Sequence, residues 1–182
     1  QDILGYSPVK AGFAFLPVSV CIVLAAGAAS QLITRYGAKP LALVGTATTA
    51  VGMTWLSQIE PDSTYVGGLL GPMIVFALGM GMTFMPLTLA AVSKVGEGDA
   101  GIASGVLNTT QQIGGSIGLA ALTTVAITTF TTAVDDLLPK FLEAGGVPPE
   151  DGTLPPEGFV TAQVDGWTAA FQVSAGLTVL AF

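Results

Sequence analysis

Five long apolar stretches separated by short polar breaks fill the chain from Ala11 to Phe182. A run of about 20 apolar residues, rising about 1.5 Å per residue as a helix, crosses the roughly 30 Å hydrocarbon core of a bilayer. A soluble domain of 182 residues needs no such series. The pattern predicts an all-α, polytopic transmembrane helical bundle occupying 1–182, with spans at about 11–31, 40–57, 65–92, 100–130 and 167–182.

Charge is almost excluded from this chain. Charged residues make up 9% of it, against about a quarter in an average protein, and the mean hydropathy is +0.74. The net charge of −7 and five scattered basic residues leave no basic stripe to neutralise phosphates, so nucleic acid is not an expected partner. Cys21, the single cysteine, lies inside the first apolar stretch; it forms no disulfide framework and reads as a small buried hydrophobe. Residues 1–10 have neither the basic nor the apolar region of a signal peptide. The chain opens on Gln1, and its last apolar run ends after about 16 residues, short of a full span. The expectation is a piece of a longer protein, with further membrane helices upstream.

Punctuation places the spans. Ser7-Pro8 opens the first, the serine as a cap and the proline in the first turn. Polar breaks follow at 34–39, 59–63 and 93–99, and the length of the third span with Pro72 and Pro86 predicts that it is kinked or tilted rather than straight. Val134, Leu137, Leu138, Phe141 and Leu142 recur at helical spacing opposite Asp135, Asp136, Lys140 and Glu143, which predicts a short amphipathic helix on the membrane surface within a loop at 131–166. Residues 145–156, rich in glycine, proline and acid, read as a solvated linker, with a lid as the alternative. Arg35, Lys39 and Lys94 fall on one side of this topology, which the positive-inside rule makes cytoplasmic. Lys10, Lys140 and most acids fall on the other, with Tyr6, Trp55, Tyr65 and Trp167 near that interface as an aromatic belt.

The inventory of reactive groups is short. Histidine is absent, the cysteine has no partner, and no carboxylate lies inside a predicted span, so enzymatic catalysis, metal binding and a cofactor are not expected. Proton-coupled carriage needs an intramembrane Asp, Glu or His, which this chain would have to borrow from elsewhere. On the fourth span Ser104, Asn108, Gln111, Gln112 and Gly115 share one helical face. Amides are costly in lipid, so this face meets protein or water; it is either interhelical glue or the wall of an aqueous cavity. The pairs Gly101/Gly105, Gly114/Gly118 and Gly67/Gly71 have the spacing that lets helices touch, with packing as the default reading. Met73, Met80, Met82 and Met85 lie on the third span beside Phe76 and Phe84, either as ordinary packing or as a pliable surface for apolar ligands.

The stretch from Gly79 to Leu122, with G-M-G-M-T-F-M-P-L-T and D-A-G-I-A-S-G-V-L-N-T-T-Q-Q-I-G-G-S-I-G-L-A, resembles the C-terminal half of multidrug efflux carriers. These are the 14-helix drug:proton antiporters of the major facilitator superfamily, the EmrB/QacA branch. Gly5-Tyr6-Ser7-Pro8 with Ala11-Gly12 and Phe15-Leu16-Pro17 is similar to the start of their tenth helix, and Gly166-Trp167 with Ala170-Phe171 to that of the last. Thr34-Arg35-Tyr36-Gly37-Ala38-Lys39 resembles their cytoplasmic D-R-x-G-R-K signature, with Thr34 in place of the aspartate and Ala38 in place of a basic residue. Arg35, Gly37 and Lys39 then imply a cytoplasmic anchor rather than a charge relay. The resemblance implies a proton-motive-force-driven exporter of small amphipathic compounds, working by alternating access in the plasma membrane. Asn108, Gln111 and Gln112 would line its cavity with Met80, Met82 and Phe84. Its partners would be substrate, protons, the bilayer and the upstream helices, the coupling residue lying among those helices. A nutrient importer of the same fold and a non-transporting scaffold or sensor are the alternatives.

Overall fold

The computed structural model describes residues 6–93, 95–143 and 156–180. Those residues form α1 (Pro8–Tyr36), α2 (Ala38–Leu56), α3 (Leu70–Val92), α4 (Ala100–Glu143) and α5 (Pro156–Leu180), with no strand among them. A π-helical turn, Tyr65–Leu69, leads into α3, and a single 3-10 turn, Glu97–Asp99, precedes α4. The all-α expectation holds. Among the described residues three helical stretches are long and apolar enough to cross a membrane: Pro8–Tyr36, Tyr65–Val92 and Ala100–Glu143.

Ser7 caps α1 by accepting a hydrogen bond from the Lys10 N–H at 3.3 Å, and Pro8 stands in the first turn, as the sequence predicts. The predicted break at 34–39 shrinks to one residue. Helix α1 continues through Arg35 and Tyr36, and α2 begins at Ala38, because Gly37 alone makes the turn with φ 84° and ψ 166°. That region is open essentially only to glycine, since a Cβ there collides with the neighbouring backbone.

Helix α3 is the centre of the bundle, packed against α2 on one side and α1 on the other. Gly79 and Gly81, two residues apart, point to opposite faces of α3 and let both neighbours in. A Cβ on Gly79 would overlap the Thr49 backbone and lie 2.8 Å from the Gly45 carbonyl; one on Gly81 would lie 2.6 Å from the Ile22 carbonyl. Gly45 and Gly52 of α2 give α3 the same freedom of approach, towards Thr83 and Phe76. Pro72 and Pro86 are fully buried. The irregularity expected of the third span falls just before Pro72, where the Leu70 N–H reaches the Tyr65 carbonyl in a widened turn and Pro72 offers no N–H.

Threonine hydroxyls in α2 and α3 turn back onto their own helix. Thr46, Thr49, Thr54 and Thr83 each donate to the carbonyl four residues earlier at 2.8–2.9 Å. No buried side-chain polar atom among the described residues lacks a partner. The threonine-rich α2 can therefore pack against the apolar α3 at the centre of the bundle.

Helix α5 packs on α4 and α2. Gly166 meets the Ala126 carbonyl, and Phe130 and Phe159 cross edge to face at 5.4 Å. Helix α4 is one piece of 44 residues, about 66 Å long, and runs unbroken through the segment predicted as a separate surface helix. Of the predicted faces, Val134, Leu137, Leu138 and Phe141 are half-buried and Asp135, Asp136, Lys140 and Glu143 are exposed, but Leu142, expected on the apolar side, is also exposed. Helix α5 starts at Pro156, eleven residues before the apolar run predicted from about 167, because a helix can begin in polar sequence ahead of its apolar run. The predicted linker at 145–156 lies almost wholly outside the described residues, as does Lys94.

Candidate functional site

Along α4 only Ala126 is buried. Ser104, Asn108, Gln111, Gln112 and Gly115 are all exposed and, at 3.6 residues per turn, fall within an arc of about 100°. Ile102, Val106, Ile113 and Ile117, likewise exposed, fall on the opposite side. The first half of α4 is thus amphipathic, with an amide face and an isoleucine face. The amides of Asn108, Gln111 and Gln112 find no hydrogen-bond partner among the described residues, whereas Thr109 is satisfied by the Gly105 carbonyl at 2.8 Å. Open amides on a helix otherwise suited to lipid call for water, ligand or another helix against them.

The glycine pairs of α4 sit on the same open surface. A Cβ at Gly101, Gly105, Gly114 or Gly118 would meet nothing within 4 Å, so among the described residues no helix packs against them. The close-approach glycines are Gly45, Gly52, Gly79, Gly81 and Gly166. In the third pair, Gly67 sits over its own capping residue Thr64, and Gly71 faces the Trp55 ring.

The apolar candidates divide. Met80 and Phe84, one turn apart on α3, are 41% and 53% exposed and form a small open patch, while Met82 is half-buried. Helices α3 and α4 touch over a short stretch only, so the Met80/Phe84 patch and the amide face are not brought into one site by the described residues. Arg35, Gly37 and Lys39 cluster at the α1–α2 joint, all exposed, with the Arg35 guanidinium 5.6 Å from the Tyr36 ring centroid and well placed for the negative end of α1.

A cavity of about 590 Å³ opens at the end of the bundle that carries the Glu60 turn, a feature the sequence reading missed. It lies between the first turns of α1, the last of α2, the start of α3 and the first half of α5. Tyr6, Phe15, Tyr65, Phe76, Trp167 and Phe171 supply its rings, Met53 and Met73 its flexible walls, and Glu60 its one charged group. The Tyr65 hydroxyl donates to the Ala14 carbonyl of α1, tying the π-turn to α1 one turn before Pro17. Tyr6 and Tyr65 stand 6.4 Å apart, tilted by 56°. Three of the four residues assigned to an aromatic belt thus line a cavity, and Met73 and Phe76 come from the methionine-rich span. The available signal was aromatic residues recurring at one end of successive spans. The amide face is elsewhere: about 21 Å of α4 axis separates Gln112 from Ala126, the level at which α5 crosses.

The family model of the Major Facilitator Superfamily matches residues 1–119, from the start of the chain through α3 and past the amide face. The chain belongs to the Major Facilitator Superfamily. Among curated members of this superfamily and related proteins, it is similar to the cephamycin export protein CmcT of Amycolatopsis lactamdurans, with 43% identity over 126 residues, covering 69% of this chain and 26% of the relative. The puromycin resistance protein pur8 of Streptomyces alboniger is 34% identical over 186 residues, covering 99% of this chain and 33% of the relative. The tetracenomycin C resistance and export protein of Streptomyces glaucescens is 27% identical along the whole chain, which covers 38% of it. The chain thus spans between about a quarter and two-fifths of the length of these relatives. A Major Facilitator chain with α-helices this apolar is a multi-pass membrane protein.

Proposed function

We propose that this chain belongs to an exporter of small amphipathic molecules, antibiotics among them, of the 14-helix drug:proton antiporter branch, in which it supplies the tenth to fourteenth helices. The single observation that carries the reading is the open amide face of α4, Asn108, Gln111 and Gln112, on a helix that is otherwise fit for lipid. Relatives named for export of, or resistance to, cephamycin, puromycin and tetracenomycin C support the substrate class.

In this mechanism the amides hydrogen-bond substrate or water in a central cavity, and the Met80/Phe84 patch with Met82 gives pliable apolar contacts. Two helix bundles rock against each other to expose that cavity alternately to either side of the cytoplasmic membrane. The Gly37 joint lies on the cytoplasmic side and the Glu60 turn on the outer side, in keeping with the positive-inside rule. Proton uptake and release fall to an acidic residue in other helices, since the membrane-crossing part of this chain has none to offer. In the complete protein, Gln112→Ala at equal surface abundance is expected to change the resistance spectrum, losing hydrogen-bonding substrates first. Unchanged efflux of every compound tested removes the amide face from the substrate path.

A further inference from the structure

The first turns of α1 are held differently from the rest of the helix. Beyond Pro17 the helix is packed: Val18, Ala25 and Ala29 are buried, and the Ala25 methyl and Ile22 carbonyl lie against Gly81 of α3. Before Pro17 no residue from Tyr6 to Leu16 is buried. Tyr6, Ala11 and Ala14 are half-buried, and all three line the cavity at the Glu60 end, so the inner face of this segment opens on a void. A Cβ on Gly12 would likewise meet nothing within 4 Å. We propose that residues 6–16 form a flap over that cavity, hinged at Pro17 and latched by the Tyr65 hydroxyl.

The hinge is visible in the hydrogen bonds of α1. Pro17 has no N–H, which leaves the Phe13 carbonyl without the donor four residues on. The next carbonyl, Ala14, accepts from the Tyr65 hydroxyl, and the one after it, Phe15, from the Ser19 hydroxyl at 3.2 Å. Hydroxyls that share a helical carbonyl bend the helix, as a proline does. Three successive carbonyls thus depart from plain helical pairing, and the helix yields there first. About 14 Å of axis separates Pro17 from Pro8, so a bend of about 20° carries Pro8 through about 5 Å.

The latch is one side chain. Among the described residues, Tyr65 makes both directed contacts that reach the flap from another element: its hydroxyl to the Ala14 carbonyl, and its ring to that of Tyr6, 6.4 Å away. The Lys10 ammonium, 3.9 Å from the Tyr6 centroid, pairs within the flap and does not tie it down. Tyr65 is itself the first residue of the widened turn, which Thr64 caps by accepting the Gly67 N–H at 3.2 Å. This motion differs from the rocking of two bundles, since one helix end moves while α2, α3 and α5 stay, and it is measured without transport.

The experiment uses the complete protein in nanodiscs, with Cys21→Ser and every other cysteine replaced. Spin labels at Val9→Cys on the flap and Asp165→Cys on α5, both exposed positions, report their separation by double electron–electron resonance. A second pair, Val23→Cys with Asp165→Cys, reports α1 beyond the hinge. Tyr65→Phe keeps the ring and removes the latch. It should raise the population with the first pair about 5 Å further apart by roughly two- to tenfold, the scale of one neutral hydrogen bond, and leave the second pair unchanged. Pro17→Ala restores the missing N–H and should return the Tyr65→Phe protein to the shorter distance. The proposal is overturned by a first pair indifferent to Tyr65→Phe, by both pairs shifting together, or by a long distance that persists with Pro17→Ala.

Discussion

Gly79→Ala tests how the centre of the bundle is held together. The added Cβ would stand 2.5 Å from the Thr49 hydroxyl oxygen and 2.8 Å from the Gly45 carbonyl oxygen, whereas non-bonded heavy atoms rest at about 3.5 Å or beyond. Helices α2 and α3 would have to part by about 1 Å. Because the Thr49 backbone nitrogen and the Gly45 carbonyl obstruct it as well as the Thr49 hydroxyl, the obstruction does not swing away. Overpacking of this kind costs about 1–3 kcal/mol. For a chain of this size each kcal/mol lowers the melting temperature by roughly 2–4 °C, so a fall of roughly 2–12 °C is expected. The matched control is Gly101→Ala on α4, where a Cβ meets nothing within 4 Å. There the helix loses a flexible residue and should gain about 0.5–1 kcal/mol. Thermal unfolding of both variants in detergent, followed by circular dichroism, reads the difference. Equal melting temperatures for the two would refute the assignment of Gly79, rather than the G-x-x-x-G pairs of α4, as a close-approach residue in this chain.

Gly37→Ala should destabilise the chain by about 1–3 kcal/mol in the same assay, because φ 84° with ψ 166° is closed to residues with a Cβ, and Gly37→Asn should not rescue it. In a Cys21→Ser background, a membrane-impermeant maleimide should label Glu60→Cys from outside intact cells and Lys39→Cys only after the membrane is opened; labelling of both from one side would overturn the proposed orientation.

The helices were legible wherever one residue carries the signal alone. Ser7-Pro8 announced the start of α1 because a cap is a local contact, and the face of 134–143 was readable because its spacing is set by the helix itself. Helix ends and the ends of apolar runs differ, since α4 continues past Phe130 and α1 through Arg35 and Tyr36. Which glycines touch a neighbour was not legible. Gly101 and Gly105 have the better-known spacing, yet the close approaches fall on Gly79 and Gly81, and only the placement of α1 and α2 around α3 decides that. The cavity was hidden for the same reason. Tyr6, Tyr65, Phe76 and Trp167 are far apart in sequence and acquire a common chemistry only when four elements converge.

The length of α4 has a mechanical consequence. A helix of 44 residues is a stiff rod, and no glycine or proline interrupts it between Gly118 and Asp136. The amides near its start and the acids near its far end therefore lie on one continuous helix, with Gly114, Gly115 and Gly118 between them. Gln112 and Asp135 are about 35 Å apart along its axis, so a tilt of about 10° about the amide level sweeps Asp135 through about 6 Å. Any rearrangement that reorients the amides would be amplified at the opposite end, where α4 clasps α5 through Phe130 and Phe159. A probe fixed at Asp135 would then act as the pointer of a gauge whose pivot lies at the open amide face.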